Sequence, residues 1–453
     1  MEKEYHVYEK LDIKFIENMK EMLGNNFDKY KKALGEPAIR GLRVNPLKIE
    51  KADFLSVFPY ALKQVPYEEN GFVLLSNEKL GNSPYHISGM IYMQEPSSML
   101  AVASVEIEKG DKVLDMCAAP GGKSTQIASK LKDGLIVSNE IVLSRAKILF
   151  SNIERLGVEN SVILNETPEN IANKLPGFFD IVFVDAPCSG EGMFRKDPDT
   201  IKEWSDERIR FNHDRQIDIL RHADKTLKVG GKLVYSTCTF SLVEDEEVVI
   251  DFLKEYGYKV VDVLPSAKQW TEKGFGIDEA RRFFPYSGKG EGQFVCVLEK
   301  QSGNYEDRSK PKIKTLQGRE KQLITDIINA NFVLPYEFEL ISMHDSIMLV
   351  TSDMLEVCFG KLNVINAGIR LGSIEKNNFK PHHQMFTTLG KYALHKKELD
   401  DETLKKYVHG EELEGDSGLN GKYICMCYRG ASLGGAKCTN GRLKNLYPKG
   451  LRI

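Results

Sequence analysis

Between Val102 and Glu299 the chain alternates short apolar runs with helical patterns. The runs Lys112–Met116, Ile136–Asn139, Ile181–Asp185 and Lys232–Ser236 read as strands. Ser124–Leu131, Ser144–Leu156, Arg215–Leu227 and Glu244–Tyr256 read as helices. A strand that leads into a helix regains its sheet by a crossover, so this order predicts an α/β fold with a parallel, doubly wound sheet. In such sheets ligands bind beyond the carboxyl ends of the strands. Three of these ends carry distinctive sequence: Cys117-Ala118-Ala119-Pro120-Gly121-Gly122-Lys123, Asp185-Ala186-Pro187-Cys188-Ser189-Gly190, and Cys238 after Tyr235-Ser236-Thr237.

The first corner reads as a cofactor loop. Ala118, Ala119, Gly121 and Gly122 let backbone N–H groups approach a ligand, and the following helix N-terminus favours carboxylate or phosphate. Glu140 ends the next strand, 25 residues after Asp115, where an acid suits ribose hydroxyls. A P-loop would need glycine where Cys117 stands, and a dinucleotide fingerprint would need two more spaced glycines. A bare structural turn is the remaining alternative. S-adenosyl-L-methionine carries an adenosine, a sulfonium and an amino-acid carboxylate. The glycine turn, Glu140 and, for the carboxylate, Lys123 suit such a molecule.

The eight cysteines are widely and unevenly spaced, so reduced thiols in a cytoplasmic protein are expected rather than a disulfide framework. A lone cysteine at a strand end usually packs. Cys188 and Cys238, with Asp185 and the cofactor loop at neighbouring strand ends, point instead to chemistry. Pyrimidine C5 is a poor nucleophile. Thiolate addition at C6 makes it enamine-like and able to attack a methyl sulfonium. The addition needs protonation or hydrogen bonding at N3, which the nearby Asp185 can provide, and a base must later remove the C5 proton. Enzymes that methylate exocyclic nitrogens carry Asn/Asp-Pro-Pro-aromatic at this point and need no thiol.

These segments resemble the RNA cytosine-5 methyltransferases of the Sun/Nop family, and within it the bacterial small-subunit methyltransferase F branch. Gly290-Glu291-Gly292-Gln293-Phe294, Arg43-Val44-Asn45-Pro46, Tyr92 to Ser98 and Asn440 to Arg452 match as well. The resemblance implies a Rossmann-like S-adenosylmethionine methyltransferase core with an α+β N-terminal domain and a PUA-like β-rich C-terminal module. It implies Cys238 as nucleophile, Cys188 as the residue that helps release the methylated base, and Asp185 at the cytosine edge near the methyl donor. Cys117 to Lys123 and Glu140 would hold the cofactor, with Arg145 beside them. Thr167 stands where the family often has an Asp near the adenine, and could approach it through its hydroxyl or backbone. The implied activity is C5-methylation of cytosine in ribosomal RNA, in the decoding region of 16S rRNA. The alternatives are the same chemistry on tRNA, or an RNA-binding assembly factor with an inactive core.

A chain of 453 residues exceeds one compact core. The expected division is an N-terminal RNA-binding domain over 1–101, the methyltransferase domain over 102–300, a polar Gly/Ser/Pro linker over 301–313, and a C-terminal RNA-binding region over 314–453 with its PUA-like module from about 377. Formal net charge is −3, yet Gly421 to Ile453 holds seven Lys and Arg and no acid, a local face for RNA phosphates. The expected partner is ribosomal RNA or the small subunit. No run approaches the ~20 apolar residues that cross a bilayer, so no membrane partner is expected. Cys425, Cys427 and Cys438 lack a second paired set, so no metal is expected; His382-His383 reads as a loop feature. Phe283-Phe284-Pro285-Tyr286 reads as core with an RNA-side alternative. A monomer is expected.

Overall fold

In the computed structural model, which describes residues 7–131, 133–288, 290–303, 311–376 and 378–453, the alternating segments form one central sheet. Its elements are β1 (Lys112–Asp115), α1 (Gly122–Lys130), β2 (Leu135–Asn139), α2 (Leu143–Leu156), β3 (Ser161–Leu164), α3 (Pro168–Lys174), β4 (Phe179–Asp185), α4 (Asp206–Thr226), β5 (Leu227–Thr237), α5 (Glu246–Glu255), β6 (Tyr258–Val261) and β7 (Gln293–Lys300). The order β3-β2-β1-β4-β5-β7 is parallel except for β7, and β6 pairs antiparallel with β7. Alternate residues feed opposite faces. Leu114, Val137, Val182 and Leu233 join one apolar cluster; Val113, Ile136, Phe183 and Val234 join the other. Burial on both faces makes these strands continuous apolar runs.

Two core elements escape sequence reading. β3 and α3 are only four and seven residues long, too short to show a period. α4 starts nine residues before the expected Arg215, capped by the Ser205 hydroxyl, which accepts from the Arg208 amide at 3.1 Å. Its first turns bury Ile209 and the polar Asn212 among charged, mostly exposed residues, so no apolar period marks them.

The C-terminal region, expected over 314–453 as a division of its own, joins the core. Val364–Ala367 pairs antiparallel with β3 and extends the central sheet. Ile341, Met348, Val350 and Met354 share an apolar cluster with β4 and β5 residues. A parallel sheet leaves β3 with an open edge, and this segment covers it. Most of the expected linker, 304–310, lies outside the described residues. At the C-terminal end a five-stranded sheet includes Tyr423–Tyr428, Ala431–Thr439 and Arg442–Asn445. It shares a core with the N-terminal sheet, where Tyr85 meets Tyr428 edge to face at 6.2 Å. Lys48 donates to the carbonyls of Thr387 and, at 2.8 Å, Ser432.

The N-terminal sheet (Gly41–Val44, Leu62–Gln64, Gly71–Leu74, Ile91–Met93) is held to the core by the matched polar motifs. Arg43 is buried. It donates to Gln94 Oε1 at 3.0 Å, to the Thr125 hydroxyl at 2.6 Å and to the Gly122 carbonyl at 3.3 Å, so it braces the first turns of α1. Asn45 donates to the carbonyls of Gly89 and Leu156 at 2.9 and 2.8 Å. Substituting Arg43→Met leaves buried acceptors unpaired. It should cost about 2–3 kcal/mol, the scale of losing charge-assisted hydrogen bonds, read as a lower urea-unfolding midpoint. An unchanged midpoint would show that this brace contributes nothing.

Candidate functional site

Each expected site residue lies at or beside the carboxyl end of the sheet, because parallel registry brings the strand ends into line. Asp115 pairs with Ser138, and Asp185 with Ser236. A cleft of about 500 Å³ opens there. Its lining includes Cys117, Ala119, Glu140, Arg145, Thr167, Asp185, Cys188 and Cys238.

The turn after β1 sits behind this cleft. The Ala118 amide donates to the Asn139 carbonyl at 2.8 Å, and Gly121 donates to the Ala118 carbonyl at 2.8 Å. Gly121 starts α1 with φ of 112°, a left-handed value that disfavours side chains. Ala118, Pro120, Gly121 and Gly122 shape this turn without lining the cleft. Asp115, at the end of β1, accepts from the Ser124 hydroxyl at 2.6 Å. Burial lifts its pKa to about 6.

Lys123 does not point freely into the cleft. Its ammonium lies 2.8 Å from Asp185 Oδ2, and the Ser236 hydroxyl donates to Oδ1 at 2.8 Å. Burial penalises the ammonium, but the Asp185 charge and hydrogen bond outweigh this and hold its pKa above the ordinary lysine value. Residues from three strand-end corners thus meet on one carboxylate.

The sulfurs of Cys188 and Cys238 are 3.3 Å apart. The hydrogen bond with Cys238, then burial, pushes the Cys188 pKa well up, so Cys188 keeps its proton at neutral pH. Buried acids set this spacing. Glu244, downstream of Cys238, accepts from the Ser189 amide at 2.8 Å, the Ser189 hydroxyl at 2.5 Å and Asn212 at 3.0 Å. Glu191 accepts from the Phe240 amide at 2.9 Å and the Trp204 indole at 2.7 Å, and burial raises its pKa to about 7. The Gly192 amide donates to the Cys238 carbonyl at 2.9 Å. A Cβ on Gly192 would sit 2.9 Å from that oxygen, so the close approach of the two loops needs glycine.

At the other end of the cleft Glu140 is buried. It accepts from the Val142 amide at 2.9 Å and lies 3.0 Å from Arg145, which donates to the Ala119 carbonyl at 2.9 Å. Arg145 is about half exposed. The Thr167 hydroxyl accepts from the Asn170 amide as the cap of α3. Its cap role, rather than a ligand, accounts for that contact.

Sequence reading missed a wall of the cleft. Arg215, Asp218, Ile219 and His222 line it from α4, and their three- and four-residue spacing puts them on one helix face. That spacing was visible, but nothing in it separated a cleft face from a solvated one. The Phe283–Tyr286 stretch is mainly core: Phe283, Phe284 and Pro285 are buried. Cys425 and Cys427 are buried in an apolar cluster, as is Cys438 in another. His383 is buried, and burial lowers its pKa to about 4. No helix among the described residues is long and apolar enough to cross a membrane.

Comparison with known proteins agrees with this architecture. The family model of the 16S rRNA methyltransferases RsmB/F matches residues 102–299, that of the N-terminal domain of RsmF matches 11–96, and that of the RsmF PUA domain matches 395–453. The ribosomal RNA small subunit methyltransferase F of Vibrio vulnificus is 33% identical, covering 96% of each chain. Its counterpart from Salmonella heidelberg is also 33% identical, over 96% of this chain and 95% of that one. Among solved structures, a methyltransferase homolog from Pyrococcus horikoshii superposes with a TM-score of 0.57 at 29% identity, covering 63% of this chain and 94% of its own. The central sheet is therefore a Rossmann-like methyltransferase core between an N-terminal domain and a C-terminal PUA domain. Matched end to end in this way, the chain belongs to the family of ribosomal RNA small subunit methyltransferase F.

Proposed function

We propose that this RNA methyltransferase methylates C5 of cytosine in small-subunit ribosomal RNA through a covalent adduct between Cys238 and C6. The observation that carries this reading is the pair of thiols 3.3 Å apart on the cleft that Asp185 and Glu140 also line. The branch resemblance adds 16S rRNA and its decoding region as the target. S-adenosylmethionine, when bound, supplies an electrophilic methyl group on a sulfonium.

The cleft's size and donors suit that molecule. Glu140 would take ribose hydroxyls, with Arg145 swinging away from it, and the turn at Cys117 to Ala119 would flank the amino-acid end. Lys123 is committed to Asp185, so its part is to hold that carboxylate. Asp185 faces the N3/N4 edge of the base. When the Cys238 sulfur, as thiolate, bonds to C6, the C5–C6 π pair moves into C4–C5 and the C4–N3 π pair moves onto N3, where charge develops; C5 is then enamine-like and attacks the methyl. The adjacent Lys123 ammonium, itself buried, stabilises the charge at N3. Once C5 has gained its methyl, a base takes the C5 proton and the S–C6 bond breaks. Cys188, still protonated beside the departing sulfur, assists this last step.

Bisulfite sequencing of ribosomal and transfer RNA from a deletion strain tests the assignment. One or more small-subunit rRNA cytosines should lose their protection, and loss at tRNA sites alone would shift the substrate to tRNA. For the cofactor, calorimetry with S-adenosylhomocysteine should detect binding. Glu140→Ala should weaken it by roughly 1–3 kcal/mol; unaltered affinity would remove Glu140 from the site. The thiols separate on a denaturing gel. Cys188→Ala should accumulate a protein–RNA species, whereas Cys238→Ala should form none and lose methylation. The opposite pattern would exchange the two roles.

A further inference from the structure

A second hollow, of about 470 Å³, lies between helix Phe27–Leu34, strand Leu62–Gln64 and the segment carrying Trp270 and Pro285–Tyr286. It shares no lining residue with the cleft. Its walls combine rings with cations. Trp270 is 37% exposed, and Tyr67 meets Phe283 edge to face at 6.2 Å. Lys29, Lys32 and Lys63 are exposed lining residues, against the single acid Glu36.

An open indole above an apolar floor, ringed by a surplus of positive charge, suits a flat heterocycle joined to phosphates. Sequence-tolerant binding of single-stranded RNA uses that combination. A small anion would need no rings, and an apolar peptide would need no lysines. The hollow also connects with the loop after Cys238 through stacked rings. Phe240, two residues past Cys238, stacks on Phe284 at 5.4 Å and 20°, and Phe284 stacks on Tyr286 at 5.4 Å and 3°. Tyr286 then forms part of the hollow's wall. A column of rings therefore runs from the hollow to the segment that follows Cys238.

We propose that this hollow holds an unpaired nucleobase of the substrate RNA near the target cytosine, stacked on Trp270, with Lys29, Lys32 and Lys63 along its phosphates. The inference rests on the RNA reading above. The test uses the full chain with a small-subunit rRNA transcript carrying 5-bromouridine. Ultraviolet irradiation should crosslink RNA to the peptide containing Trp270 or Tyr286. Trp270→Ala should raise KM for RNA about tenfold, the order of one lost base–aromatic stack, with kcat and S-adenosylhomocysteine affinity retained. Trp270→Phe should restore most of the loss, which a merely structural defect would not predict. Wild-type methylation with no crosslink here and an unchanged KM for Trp270→Ala would overturn this inference and leave the methyltransferase reading intact. Failure of wild-type protein to methylate any RNA would overturn both.

Discussion

The ion pair between Lys123 and Asp185 is the contact on which the site depends. Lys123 comes from the first turn of α1 and Asp185 from the end of β4, while Ser236, at the end of β5, holds the other carboxylate oxygen. A lysine buried this deeply must be paired, because an isolated ammonium there would lose its hydration without recompense. The pair therefore draws the turn after β1 towards the thiol corners. Arg43 acts one step further out. It braces the α1 carbonyls from the N-terminal sheet, so docking of that domain and placement of Lys123 are mechanically joined.

Behind the two thiols lies a layer of buried acids, each with its own donors. Glu244 ties the Cys188 loop to the segment after Cys238. Arg282 is buried beside Asp245 at 3.0 Å and donates to Glu246 Oε1 at 2.8 Å and to the Phe240 carbonyl at 3.0 Å. Arg195 donates to Glu291 at 2.7 Å and to the carbonyls of Ala33 and Gly290 at 2.7 and 3.0 Å. These networks explain why the Gly290–Phe294 motif lies next to the thiol loops without lining the cleft. Two sulfurs 3.3 Å apart need loops that cannot drift, and buried polar networks give that rigidity.

The same contacts blur the domain boundaries that composition suggests. Apolar residues of the N-terminal sheet and of the C-terminal PUA sheet form one cluster, and Val364–Ala367 completes the edge of the catalytic sheet. Modules fastened in this way present a fixed surface instead of swinging on linkers. The exposed lysines and arginines of the last strands, such as Lys437, Arg442 and Lys444, are then held in a set position relative to the thiols.

Much of the catalytic core was legible in the chain itself. The alternation of apolar runs and helical patterns determined a parallel sheet, because each pattern has a period that only one backbone geometry satisfies. Motif spacing placed Cys117, Asp185, Cys188 and Cys238 at strand ends. What it left open was contact. That Lys123 serves Asp185, that α4 supplies a wall of the cleft, and that Trp270 opens onto a hollow beside Lys29 all depend on residues distant in sequence. Local periodicity says which face of an element is apolar, but not which element covers it. That is decided by the burial of the whole chain, where short pieces such as β3 gain order only from their neighbours.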